Sequence, residues 1–153
     1  MRLVSFWRSP CVRSLRLTIL VIEDSRFLQL VIERVLVKAG FRVLKTSDGE
    51  DGLRVAGENL PDLILLDMML PKLGGVNVLR ALKENAVTAN IPVIVLSGLS
   101  QTNEAKLLGE GAAAYLEKSA LGLEAGSDAL TQAVRVVLSQ ARTVETRPRT
   151  GAK

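Results

Sequence analysis

Histidine is missing from all 153 residues, and that absence is the most restrictive fact in the chain. Ser-His and Cys-His nucleophile pairs, histidine metal sites and a phosphohistidine carrier are all excluded, so any chemistry must run on carboxylates, hydroxyls and lysines. Cysteine is nearly missing too. A lone Cys11 forms no intramolecular disulfide and no zinc-type cluster, which suits a reducing compartment and leads us to expect a cytoplasmic location. Long apolar runs are also absent: nothing approaches the roughly 18 residues of a membrane span, and the stretch from Leu17 to Ile22 is too short for a signal-peptide core. Neither membrane insertion nor export is expected.

A pI near 9.6 invites a nucleic-acid reading, but the positive charge is confined to the ends. Residues 1–16 hold Arg2, Arg8, Arg13 and Arg16 with no acid, and residues 142–153 hold Arg142, Arg147, Arg149 and Lys153 against Glu145. The body keeps 12 basic and 15 acidic residues, a net charge of about −3. Such a body offers no electrostatic footprint for DNA, and no direct DNA binding is expected. Two basic tails read first as solvated segments.

With 48% hydrophobic and 24% charged residues, the chain is able to bury a core without metal or disulfide support. Five short apolar runs, Leu17 to Ile22, Phe41 to Lys45, Leu63 to Leu66, Pro92 to Leu96 and Ala113 to Leu116, read as strands. Because they are apolar on successive residues, they belong in a sheet covered on both faces, which usually means parallel strands joined by helices. Ser25 is placed to cap a first helix whose apolar positions Phe27, Leu28, Val31, Ile32, Val35 and Leu36 recur at helical spacing up to Gly40. A second helix, from Gly49 to Glu58, is weakened by two glycines and turns Leu53, Val55 and Ala56 inward. A third runs from Gly75 to Glu84. The fourth, near Thr102 to Leu108, is crowded by Gly98, Gly109 and Gly111 and is expected to be the mobile one. The fifth, from Ser127 to about Arg142, shows Leu130, Val134, Val137 and Leu138 on one side.

This pattern predicts an α/β fold, a doubly wound (βα)5 parallel sheet of flavodoxin-like strand order 2-1-3-4-5, with its site at the carboxyl ends of the strands. The expected organisation is an irregular basic segment over 1–16, one domain over 17–142 and a second basic segment over 143–153. The first segment also reads as transit-like, or as the product of an over-extended start codon.

Carboxylates end neighbouring strands in this layout: Glu23 and Asp24 after strand one, Asp67 after strand three. Three acids brought together repel one another unless a cation sits among them, and hard oxygen ligands suit Mg²⁺ or Mn²⁺. Ser97 after strand four and Lys118 after strand five add a hydroxyl and a fixed positive charge, a pair suited to a phosphoryl group. Each residue alone has a plainer explanation. The acidic pair is a common helix-start signal, Asp67 and Ser97 are ordinary turn residues, and Lys118 is an ordinary solvated lysine. Convergence of all of them on one sheet edge outweighs those explanations.

The stretch Leu63-Ile64-Leu65-Leu66-Asp67-Met68-Met69-Leu70-Pro71, with Gly75 and Leu79 after it, resembles the phosphoacceptor strand and loop of response-regulator receiver domains, and the resemblance covers about 17–140. It implies that Asp67 accepts phosphate, that Glu23, Asp24, Asp67 and the Met69 carbonyl hold Mg²⁺, that Ser97 ligates the phosphoryl group and that Lys118 pairs with it. Tyr115 matches the family's switch aromatic, or else is a half-buried strand residue. The phosphodonor implied is a histidine kinase or phosphotransfer protein, and output is expected through a partner protein on a face made by helix four, strand five and helix five. A stand-alone receiver, monomeric or weakly dimeric, is the expectation, catalysing its own phosphorylation and dephosphorylation without being a conventional enzyme.

Two departures from the family stand out. Ser119 follows Lys118 where a proline in a cis peptide is usual, so the loop into helix five is expected to be trans and differently placed. Gly98 stands where alanine is common and should loosen the loop after Ser97. The resemblance places Met69 and Leu99, two residues past Asp67 and Ser97, at positions that flank the attacking-water route in receivers; both are apolar and orient no hydrolytic water, so a slowly lost phosphoryl group is expected. Other readings are a phosphorylation-independent docking module, and an aspartate-nucleophile phosphatase of the haloacid dehalogenase type. The latter wants a second acid where Met69 stands. A flavin-binding protein of this fold is opposed by the acidic cluster.

Overall fold

The computed structural model describes residues 16–98, 104–121 and 128–145. Five strands, β1 (Thr18–Ile22), β2 (Arg42–Thr46), β3 (Leu63–Asp67), β4 (Val93–Ser97) and β5 (Ala114–Glu117), form one sheet. All pairings are parallel, in the order β2-β1-β3-β4-β5. Helices α1 (Arg26–Lys38), α2 (Gly49–Asn59), α3 (Gly75–Glu84), α4 (Glu104–Gly109) and α5 (Asp128–Glu145) connect and cover them. A single 3₁₀ turn, Lys118–Leu121, follows β5.

The alternation of side chains along a strand explains why the central runs Leu63 to Leu66 and Val93 to Leu96 are apolar at every position. Ile19 and Val21 of β1, Leu63 and Leu65 of β3, and Ile94 and Leu96 of β4 pack with Ile32 and Leu36 of α1 and Leu130, Val134 and Val137 of α5. Their neighbours Leu20, Ile22, Ile64, Leu66, Val93 and Val95 pack on the opposite face with Ala56 of α2, Val78, Leu79 and Leu82 of α3 and Leu107 of α4. Each fully buried leucine or isoleucine contributes about 1.5–3 kcal/mol of transfer free energy. Together the two layers hold the strand ends rigidly.

Three helices depart from the sequence expectation. On α1 the buried stripe is Gln29, Ile32 and Leu36, and Phe27, expected inside, is 60% exposed. The helix is apolar almost all round, so its period fixes no single inward face. In α2 the glycines are contact surfaces as well as weak helix formers: a Cβ on Gly52 would come within 2.6 Å of Ile22 Cδ1. Asp48 caps this helix by accepting the Asp51 N–H at 2.9 Å. At the far end, α5 continues to Glu145, three residues past the expected stop at 142. Ser127, Thr102 and residues 1–15, to which expectations were also attached, lie outside the described residues. No helix among the described residues is long and apolar enough to cross a membrane.

Candidate functional site

Parallel register brings the carboxyl ends of β1, β3, β4 and β5 to one edge. Asp67 closes β3 opposite Leu96, one residue before Ser97 closes β4, and Ser97 pairs in turn with Glu117, the residue before Lys118. Glu23 directly follows β1 and stays in line because its N–H donates to the Thr46 carbonyl at 3.1 Å. Strand register thus assembles residues that are far apart in the chain.

Glu23, Asp24 and Asp67 each offer a carboxylate oxygen within 4.8 Å of the others. Glu23 and Asp67 are buried and Asp24 is exposed. Lys118 Nζ lies 2.9 Å from Glu23 Oε2 and 3.1 Å from Asp67 Oδ1, bridging the two buried acids. The Ser119 departure therefore leaves the lysine in place. No cis peptide bond occurs among the described residues, and the 3₁₀ turn that begins at Lys118 carries the chain away.

Each of the two buried acids is held by a nearby backbone donor. Ser25 N–H donates to Glu23 Oε1 at 3.1 Å, while Ser25 also accepts the Leu28 N–H as the cap of α1. Met69 N–H donates to Asp67 Oδ1 at 3.1 Å. Asp67 Oδ1 thus has two partners, whereas Asp67 Oδ2 is buried with no hydrogen-bond partner among the described residues. The β3–α3 loop that follows is drawn tight over Asp67. A Cβ at Gly75 would sit 2.5 Å from the Asp67 carbonyl oxygen, so only glycine permits α3 to start there.

Electrostatics follow from burial. Desolvation is the main cause that lifts the Glu23 carboxyl to about 7, reinforced by Asp67 and opposed by Lys118 and the Ser25 N–H. Burial pulls the Lys118 ammonium down, but its contacts with Glu23 and Asp67 outweigh that and leave it raised. An all-oxygen donor set with a buried, unpartnered carboxylate oxygen fits a hard divalent cation. These residues are therefore chemically competent to hold Mg²⁺ or Mn²⁺.

Ser97 is buried at the strand end and Tyr115 of β5 is half-buried, packed toward the layer containing α4. The Met69 side chain is 68% exposed, and Leu99 lies outside the described residues. One polar residue that the sequence did not single out belongs to the same edge. Gln29, on the buried stripe of α1, donates to the carbonyls of Glu23 and Thr46. A glutamine in register with Ile32 and Leu36 was the available signal.

The response regulator receiver domain model matches residues 19–135. A gliding motility regulatory protein of Myxococcus xanthus is 40% identical over 117 residues, which are 75% of this chain and 15% of that protein. Protein PilH of Pseudomonas aeruginosa is 36% identical over 102 residues, 65% of this chain and 84% of PilH. Among solved structures, the receiver domain of the sensor histidine kinase PA1611 from Pseudomonas aeruginosa, with a magnesium ion coordinated in its active site cleft, superposes with a TM-score of 0.71. The two are 27% identical, and the match covers 81% of this chain and 98% of that one.

Proposed function

Because the chain belongs to the response regulator receiver domain family, whose members are signalling modules and not conventional enzymes, we propose that it is a phosphorylation switch whose acceptor is Asp67. The observation that carries this reading is the state of the Asp67 carboxylate. One oxygen is fixed by Met69 N–H and Lys118, and the other is buried without a partner among the described residues. A carboxylate held by one oxygen is oriented for attack through the other.

The phosphodonor in this reading is a phosphohistidine on a histidine kinase or phosphotransfer protein. The new bond forms between phosphorus and Asp67 Oδ2 as the bond to the donor's imidazole nitrogen breaks, its electron pair staying with the imidazole. Glu23, Asp24 and Asp67, with the Met69 carbonyl, would hold Mg²⁺ or Mn²⁺, which when bound neutralises charge on the transferred oxygens. Lys118, already placed between Glu23 and Asp67, supplies the fixed positive charge, and Ser97 the hydroxyl. Phe27 and Leu30, 60% and 57% exposed on α1, the helix that follows Asp24, give the donor an apolar surface.

Output runs through the α4–β5–α5 face to a partner protein. Withdrawal of Ser97 toward the phosphoryl group opens space for Tyr115 to turn inward, a two-state element biased by local charge. In this reading the switch unit runs from residue 17 through the end of α5 at Glu145 and acts in the cytoplasm. The exposed, apolar Met69 fits slow loss of phosphate, since it orients no water. Met69→Asn should shorten the phosphorylated lifetime, read as decay of the phosphorylated mass; an unchanged lifetime contradicts this.

Intact-mass measurement after incubation with acetyl phosphate and Mg²⁺ tests the central claim. Wild type should gain one phosphoryl group and Asp67→Asn none. No gain in wild type overturns the reading.

A further inference from the structure

A glutamine among leucines and isoleucines on the inner stripe of a helix is costly unless its amide is satisfied. Gln29 is 8% exposed. Its Nε2 donates to the Glu23 carbonyl at 2.6 Å and to the Thr46 carbonyl at 2.9 Å, with Ser47 Oγ at 3.5 Å. Two carbonyl acceptors fix the nitrogen end of the amide toward the sheet edge. The side chain is thus a clamp from α1 onto the ends of β1 and β2.

The grip falls on the link between two acids of the site. Glu23 is held at its N–H by Thr46, at Oε1 by Ser25 N–H, at Oε2 by Lys118 and at its carbonyl by Gln29. Asp24 is exposed, so the direction in which its carboxylate leaves the backbone depends on the peptide that joins it to Glu23. Gln29 holds that peptide by its oxygen.

We propose that Gln29 is a positioning residue for the divalent cation, acting through the Glu23–Asp24 peptide and never touching the ion. This rests on the cation-holding role given above to Glu23, Asp24 and Asp67. Groups that orient metal ligands typically change metal affinity by about 10–100-fold when removed.

The test uses the full chain and Mn²⁺ as the probe, with free Mn²⁺ read by electron paramagnetic resonance at a temperature where circular dichroism shows every variant folded. Gln29→Met keeps the volume and removes the donor, and should weaken Mn²⁺ binding by roughly tenfold or more. If Gln29→Met does not fold, Gln29→Ala carries the same expectation. Leu36→Ala, a destabilising change on the same stripe, should leave affinity unaltered. A merely structural role predicts equal affinities for folded Gln29→Met (or Gln29→Ala) and wild type, and that result overturns the proposal. Wild type that binds no Mn²⁺ sinks instead the reading on which the proposal rests.

Discussion

The two edges of the sheet are built on opposite terms. At the amino edge, polar groups are paired. Asp62 accepts the Thr18 N–H at 2.7 Å, and Arg42, Ile64 and Ala113 donate their N–H groups to Leu17, Pro92 and Val93. At the carboxyl edge, two acids are buried against one lysine, and Asp67 Oδ2 and Thr46 Oγ1 are buried without a hydrogen-bond partner among the described residues. The same strands supply both edges, so the contrast reflects what each edge is for. One edge closes the fold; the other holds groups in a state that a ligand would relieve.

The largest effect expected from this contrast is a pH dependence of the metal-free protein. Glu23 titrates near 7 when folded against an ordinary value of 4.5, so between those values the folded chain holds a proton that the unfolded chain releases. Its contribution to stability is full below about 4.5 and is lost as pH rises through 7. Chemical denaturation of wild type should show stability falling across that window with a limiting slope of about 1.4 kcal/mol per pH unit. Glu23→Gln should flatten the curve; an unchanged slope in that variant would assign the effect elsewhere.

Smaller and opposite effects should separate the edges. Asp62→Ala, at the amino edge, removes the acceptor for Thr18 and should cost about 1 kcal/mol without altering Mn²⁺ affinity. Thr46→Val, at the carboxyl edge, removes a buried hydroxyl lacking a partner and should add about 1 kcal/mol. Destabilisation by Thr46→Val would mean that the contrast between the edges is drawn in the wrong place.

The smallest effect lies in the loop over the site. Lys72 has φ +64°, a left-handed conformation that lysine adopts with strain and asparagine tolerates better. Lys72→Asn should raise stability by about 0.5 kcal/mol in thermal unfolding. No rise would place the strain outside this residue.

Sheet order and strand positions were legible because two-sided burial leaves a direct mark, apolar residues at every position of β3 and β4 before the last. Glu23, Asp24, Asp67, Ser97 and Lys118 were legible as polar residues that end those runs, and the structure gathers the two buried acids onto the lysine. The residues that escaped depend on contacts made across the fold. Gln29 takes one of its partners from a strand end 17 residues away, and its register with Ile32 and Leu36 signals burial but not what it grips. Phe27 was misplaced because α1 has apolar residues on nearly every side. Gly52 looked like a flaw in a helix until Ile22 was set against it. Lys72 carries a left-handed backbone that its residue type does not announce.

Lys118, lying between Glu23 and Asp67, gives the chain a resident counter-ion delivered by its own covalent backbone. A newly made chain can therefore close its acidic edge wherever it emerges, without waiting for an ion from its surroundings. In the proposed switch, ion supply would act on the readiness of the folded molecule to take up phosphate far more than on whether that molecule exists. Folding and signalling answer to different features of the cell.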